Sequence, residues 1–89
     1  MHIMKELERT LKALANKRRL AIIKYLIEHQ PASVGDIATH IHLSFKATSK
    51  HLGVLSAADI VEKNQQSLLV FYRFVRNQKP AAKSIISLL

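Results

Sequence analysis

Apolar positions form helical stripes from the amino terminus to Ala57, and a strand-like pattern takes over beyond it. Ile3, Leu7, Leu11 and Leu14 step by four, four and three residues, the stripe of an amphipathic first helix. Asn16 is suited to N-cap a second helix. Its broad buried face is Leu20, Ile23 and Ile27, flanked by Ile22 and Leu26. Gln30-Pro31-Ala32 ends it, because proline disfavours helical geometry in the residue before it. Ser33 caps a short third helix with Val34, Ile37, Ala38 and Ile41 inward; His42 and Leu43 turn the chain, and Ser44 opens a fourth helix. Ile60 to Lys63 and Leu68 to Phe74 then read as two strands, rich in β-branched and aromatic residues. Asn64-Gln65-Gln66-Ser67 joins them as a β-hairpin with a four-residue polar tip. Lys79-Pro80 opens a last helix striped by Ala82, Ile85, Ile86 and Leu89. The prediction is a mostly α fold of about five helices plus a two-stranded hairpin, with no internal repeat or linker.

The fourth helix carries the chemistry. Thr48, Leu52 and Leu55 share an inward face, while Lys46, Lys50, Gly53 and Ala57 share the opposite one. Small and cationic side chains on an exposed helix suit a DNA major groove. Lysine reaches guanine O6/N7 or phosphate, serine and threonine bond most base edges, and alanine tolerates close approach. The 22 residues from Ile37 to Ala58 contain no Asp or Glu, so a polyanion meets no like charge there. Lys plus Arg exceed Asp plus Glu by 14 to 6, a balance that favours an acidic partner.

At 89 residues there is room for a single domain, residues 1–89. A chain this short buries only about 60–65% of its unfolded surface, so extra burial in a partner subunit is useful. The absence of cysteine removes disulfides, thiolate metal sites and cysteine nucleophiles together. Lys5, Glu6, Glu8 and Arg9 interrupt any apolar run of signal-peptide length. The longest apolar stretch, Leu68 to Tyr72, is too short for a bilayer. A cytoplasmic protein without a membrane partner is expected.

Helix, helix, helix, recognition helix, hairpin, helix is the order of a winged helix-turn-helix domain. L-K-A-L-A-N-K-R-R-L-A-I-I-K-Y-L from Leu11, L-S-F-K-A-T-S-K-H-L-G-V-L from Leu43, Ile60-Val61 and Val70-Phe71-Tyr72-Arg73 resemble the ArsR-type transcriptional repressors over nearly the whole chain. Ser49 and His51 occupy that family's S-x-H, Arg19 its second-helix arginine, and Tyr72-Arg73 its strand-ending Y-R. The resemblance implies a homodimer that binds double-stranded DNA, with the terminal helices (about 3–15 and 79–89) as dimerisation elements. Arg19 is then structural. Metal sensing does not carry over: Ser33-Val34-Gly35-Asp36 supplies no thiol, and Asn64 to Leu89 contains no Asp, Glu, His or Cys. No metal or cofactor is expected. The family's glycine after the recognition helix is replaced by Asp59, which tolerates the left-handed conformation better than most residues.

The expected DNA-contacting residues are Ser44, Lys46, Ala47, Thr48, Ser49, Lys50, His51, Lys63, Gln65 and Gln66. Lys46, Ala47, Ser49 and Lys50 read the groove, Thr48 is set mostly inward, and Ser44, His51, Lys63 and the wing tip hold phosphates. Phe45 is expected to close the helix-turn-helix rather than touch a thymine methyl. His40 and His42 are a surface pair at a helix end. The function expected is a homodimeric, sequence-specific transcriptional regulator, a repressor. The alternative is a winged-helix module that docks an acidic protein through exposed aromatic or apolar anchors. An enzyme is disfavoured, because the six scattered carboxylates assemble no nucleophile, base and orienter. A membrane-surface helix is disfavoured because the basic residues are spread over every element.

Overall fold

The computed structural model describes residues 2–89, in the order α1 (His2–Leu14), α2 (Lys17–His29), β1 (Ala32–Ser33), α3 (Val34–Ile41), α4 (Phe45–Ala57), β2 (Val61–Gln66), β3 (Leu69–Phe74) and α5 (Pro80–Leu88). Each internal helix starts where a polar side chain satisfies orphan backbone donors. The Asn16 carboxamide accepts from the N–H groups of Arg18 and Arg19, Ser33 Oγ from Asp36 N, and Ser44 Oγ from Ala47 N. Proline opens α5 at its first position, where its missing N–H is no loss.

Two helices end in the same way without a glycine. At the end of α3, His42 takes φ 57° and Leu43 N reaches back to Ala38 O at 3.0 Å. After α4, Asp59 takes φ 59°, while Asp59 N bonds Ser56 O and Ile60 N bonds Leu55 O, both at 3.0 Å. These paired bonds form the Schellman closure, which places its left-handed residue one step past the helix. The sharp stop after α4 turns the chain directly into the hairpin.

The sheet has three strands, not two. The dipeptide Ala32-Ser33 pairs antiparallel with β3, Ala32 opposite Tyr72 and Ser33 opposite Phe71, so β3 is central in the order β1-β3-β2. A two-residue strand has no periodicity to detect and exists only because β3 offers it an edge. Beyond Pro31, which has no N–H to give, the Gln30 side chain takes over and accepts from Phe74 N at 2.9 Å. The wing also turns later than expected. Asn64, Gln65 and Gln66 are strand residues paired with Phe71, Val70 and Leu69. The loop between the strands is Ser67-Leu68 alone, with Ser67 at φ 59°. Two-residue hairpin loops need a positive φ at their first position, and serine supplies it here in place of the usual Gly or Asn.

Ile22, Ile23, Leu26, Ile37, Leu52, Leu55, Ile60 and Val61 are fully buried and join Leu14, Val34, Tyr72 and Ala82 in one core. The face of α1 turned to that core is Thr10, Ala13 and Leu14. Its expected apolar stripe points mostly the other way: Ile3 is 76% exposed, and Met4, Leu7 and Leu11 are exposed beside it. At the end of α5, Leu88 and the Leu89 that follows it are likewise exposed. Lys79 links α1 to the turn after α4 through Glu6 at 3.1 Å and Asp59 at 3.5 Å. No helix among the described residues is long and apolar enough to cross a membrane.

Candidate nucleic-acid interface

The inner side of α4 fixes its outer side. Thr48, Leu52 and Leu55 are buried, and at about 100° per residue that places Lys46, Lys50, Gly53 and Ala57 on the opposite surface, where all four are exposed. Ala47 and Ser49 are half-buried on the flanks, and Ser44 is exposed at the cap. Thr48 is 0% exposed, so no ligand reaches it. This corrects its place among the contact residues: it is a core residue of α4.

Phe45 also departs from expectation. It points within about 20° of Leu52 around the helix, but lies some 10 Å nearer the amino end, given a rise of about 1.5 Å per residue. Helical side chains tilt toward the N-terminus, so the ring projects past the core. It is 63% exposed and does not close the helix-turn-helix. Angular position alone could not show this, because it carries no information on where the core ends along the axis.

Gly53 occupies the third turn of α4. A Cβ added there would meet no atom within 4 Å, and its φ is not positive. Neither backbone conformation nor internal packing requires glycine, although glycine inside a helix costs about 1 kcal/mol relative to alanine. What it provides is an exposed backbone without a side chain, open to close approach from outside.

His51 is held from behind. Arg19 Nη1 lies 3.2 Å from His51 Nδ1, while Arg19 Nη2 donates to Lys12 O at 3.1 Å and Arg19 Nε to Ala13 O. Guanidinium can only donate, so Nδ1 accepts and the neutral ring carries its proton on Nε2. Burial, then the positive charges of Arg19 and Arg18, hold the imidazole below its ordinary pKa. Arg19 thus joins the last turn of α1 to the middle of α4, the structural role expected of it.

At the wing, Lys63, Gln65 and Gln66 are exposed. Arg73 is paired across the hairpin with Glu62 at 2.9 Å. Both side chains are about half exposed, so this pair adds little stability. Leu68 sits in the turn at 93% exposure, so the tip is less polar than its sequence suggests. Elsewhere, Tyr25 stacks on His29 with ring centroids 4.5 Å apart and meets His40 at a tilt with centroids 4.4 Å apart, and His42 closes α3. Among the described residues no three His, Cys, Asp or Glu side chains gather as metal ligands.

A core of α2, α3 and α4, with α4 presenting a basic outer face, followed by a hairpin and a terminal helix, defines a winged helix-turn-helix protein. The family model for bacterial regulatory proteins of the arsR family matches residues 16–63. The transcriptional activator HlyU of Vibrio cholerae is 35% identical over 79 residues, covering 89% of this chain and 69% of the relative. Its reduced structure superposes with a TM-score of 0.83 at 32% identity, over 99% of this chain and 88% of that one. The homodimeric winged helix-turn-helix DNA-binding domain of a possible ArsR-family transcriptional regulator from Mycobacterium bovis superposes with a TM-score of 0.84 at 26% identity, over 98% and 77%. The transcriptional repressor BigR of Xylella fastidiosa gives 0.77 at 30% identity, over 98% and 83%. The chain belongs to the ArsR family of bacterial regulatory proteins.

The depressed pKa of His51 has a measurable consequence. A histidine held neutral in the folded state, with an unfolded value of about 6.5, adds stability that is present above that pH. The contribution is lost as pH falls toward the folded pKa, because the unfolded chain takes up the proton first. In an NMR titration the His51 ring should protonate at lower pH than a free imidazole. Arg19→Ala should move it back up, though not fully, since burial remains. A His51 pKa unchanged by Arg19→Ala would show that the guanidinium is not what holds the ring neutral.

Proposed function

We propose that the chain is a cytoplasmic, homodimeric, sequence-specific DNA-binding regulator that represses transcription by occupying its operator. The observation that carries this reading is the outer face of α4. Lys46 and Lys50 stand one turn apart and exposed, directly opposite buried Thr48, Leu52 and Leu55, in a segment without a single carboxylate. Lys46, Ser49 and Lys50 face the base edges, with Ala47 at their flank. Ser44, His51 through its Nε2–H, Lys63, Gln65 and Gln66 hold the phosphates that set register.

The exposed apolar stripes support the dimer. Ile3, Met4, Leu7 and Leu11 on α1 and Leu88 and Leu89 at the end of α5 are more than a small monomer leaves to water without use, and the Mycobacterium bovis relative is itself homodimeric. Two copies would present their recognition helices to half-sites about 34–36 Å apart. Relatives include a named activator and a named repressor. Repression needs only occupancy, which the proposed dimer provides.

One observation favours the protein-docking alternative: Phe45 is an exposed aromatic on α4. It is a single exposed aromatic, set between exposed Ser44 and Lys46. A docking site of ordinary strength clusters several such anchors.

Light scattering at micromolar concentration should give twice the 10.1 kDa chain mass, and Leu7→Glu should give the monomer; a wild-type monomer would remove the two-half-site operator. Binding to selected and scrambled DNA at several salt concentrations should separate reading from holding. Lys50→Ala should cost about 1–3 kcal/mol per half-site and relax specificity at one base pair. Lys63→Ala should weaken all sequences alike and flatten the slope of log affinity against log salt by about one unit for each phosphate no longer neutralised. If neither substitution changes binding, the docking alternative moves ahead. Gly53→Ala should do two opposite things: stabilise the fold by up to about 1 kcal/mol in urea denaturation, and weaken DNA binding. Stabilisation at unchanged affinity would show that the backbone of the third turn does not approach DNA.

A further inference from the structure

We propose that Phe45 is a specificity-determining residue whose ring packs on the 5-methyl group of a thymine, one in each half-site, in the major groove. The proposal rests on the DNA-binding reading and goes beyond it by naming a base and an atom.

Phe45 is the first residue of α4, and recognition helices in helix-turn-helix proteins contact bases through their N-terminal residues. The ring is 63% exposed and projects from the amino end of the helix, the direction in which helical side chains tilt. Ser44 before it and Lys46 after it are exposed and can anchor the same end to the phosphate and base edges. Ser49, one turn on, lies on the same side of the helix. The ring can neither donate nor accept a hydrogen bond, so a guanine or cytosine edge presented to it would lose water without replacement. Of the groups the major groove displays, the thymine C5-methyl is the apolar one. Phe45 therefore adds a discrimination that the lysines cannot make, since they seek guanine or phosphate.

The test uses the full chain and duplex sites selected from a random pool. Each thymine of the selected half-site is replaced singly by deoxyuridine, which removes the methyl and leaves base pairing intact. For wild type, substitution at the contacted thymine of one half-site should weaken binding about fourfold, the effect of one methyl removed from an apolar contact, and substitution in both half-sites about fifteenfold. Phe45→Ala should bind the thymine duplex more weakly and be indifferent to deoxyuridine at that position, while Phe45→Leu should retain part of the sensitivity. The ring is exposed, so these variants keep the core intact, and their thermal unfolding should match wild type. If Phe45→Ala binds like wild type, or keeps the deoxyuridine sensitivity, the proposal is overturned while the DNA-binding reading stands. If the random pool yields no consensus, the sequence-specific reading fails and this proposal falls with it.

Discussion

The Arg19 guanidinium occupies the junction on which the geometry of the proposed DNA-binding face depends. Three of its nitrogens reach the last carbonyls of α1, at Lys12 and Ala13, and the ring of His51 in the middle of α4. The planar fork spans these acceptors at once, which the single ammonium of a lysine could not do. One side of the junction leads along α1 to Ile3, Met4, Leu7 and Leu11, the exposed surface proposed to meet a second copy. The other side is the recognition helix. In the proposed dimer, the orientation of one helix against the other would fix where the partner's recognition helix stands, and so the spacing of two half-sites.

The rest of the frame is economical. The core is supplied largely by α2, α3, α4 and the start of β2, with the terminal helices contributing Ala13, Leu14 and Ala82. Both therefore spend much of their apolar surface facing outward. In a chain of this length, whose own burial is modest, association would move that surface out of water. The same helices that cover the core on one side would then be covered themselves on the other.

Much of this was legible in the sequence because it is written in local terms. The caps at Asn16, Ser33 and Ser44 are single side chains next to the helices they start, and the buried faces of α2, α3 and α4 follow their periodicity. Asp59 could be read as a left-handed residue because it stands where the resemblance places a glycine, and aspartate tolerates that conformation. The misses arise where position along an axis, or a distant partner, decides. Ala32-Ser33 is a strand only because β3 lies beside it. The polar run Asn64 to Gln66 looked like a loop, yet solvent-facing wing strands are polar too, and no glycine marked the true turn at Ser67-Leu68. Phe45 has the angular position of a core residue and lies one turn beyond the end of the core. Thr48 illustrates the reverse error: a hydroxyl that could serve a base edge is sealed beneath its own helix.

Sequences that specify a fold tend to satisfy local preference everywhere except where another demand overrides it. By that criterion three residues stand out. Gly53 weakens the helix it lies in, with no neighbour that excludes a side chain. Phe45 leaves an aromatic ring in water at a helix start, and Leu68 places a leucine in a tight turn, where polar residues or glycine are usual. None of the three contributes to the core. Two lie on α4 and the third at the tip of the wing, the two elements with which a winged helix-turn-helix protein meets DNA. Their cost to the free protein is small but has no return within it. On the proposed DNA-binding reading, a bound duplex would supply that return at α4, through close approach at Gly53 and apolar contact at Phe45.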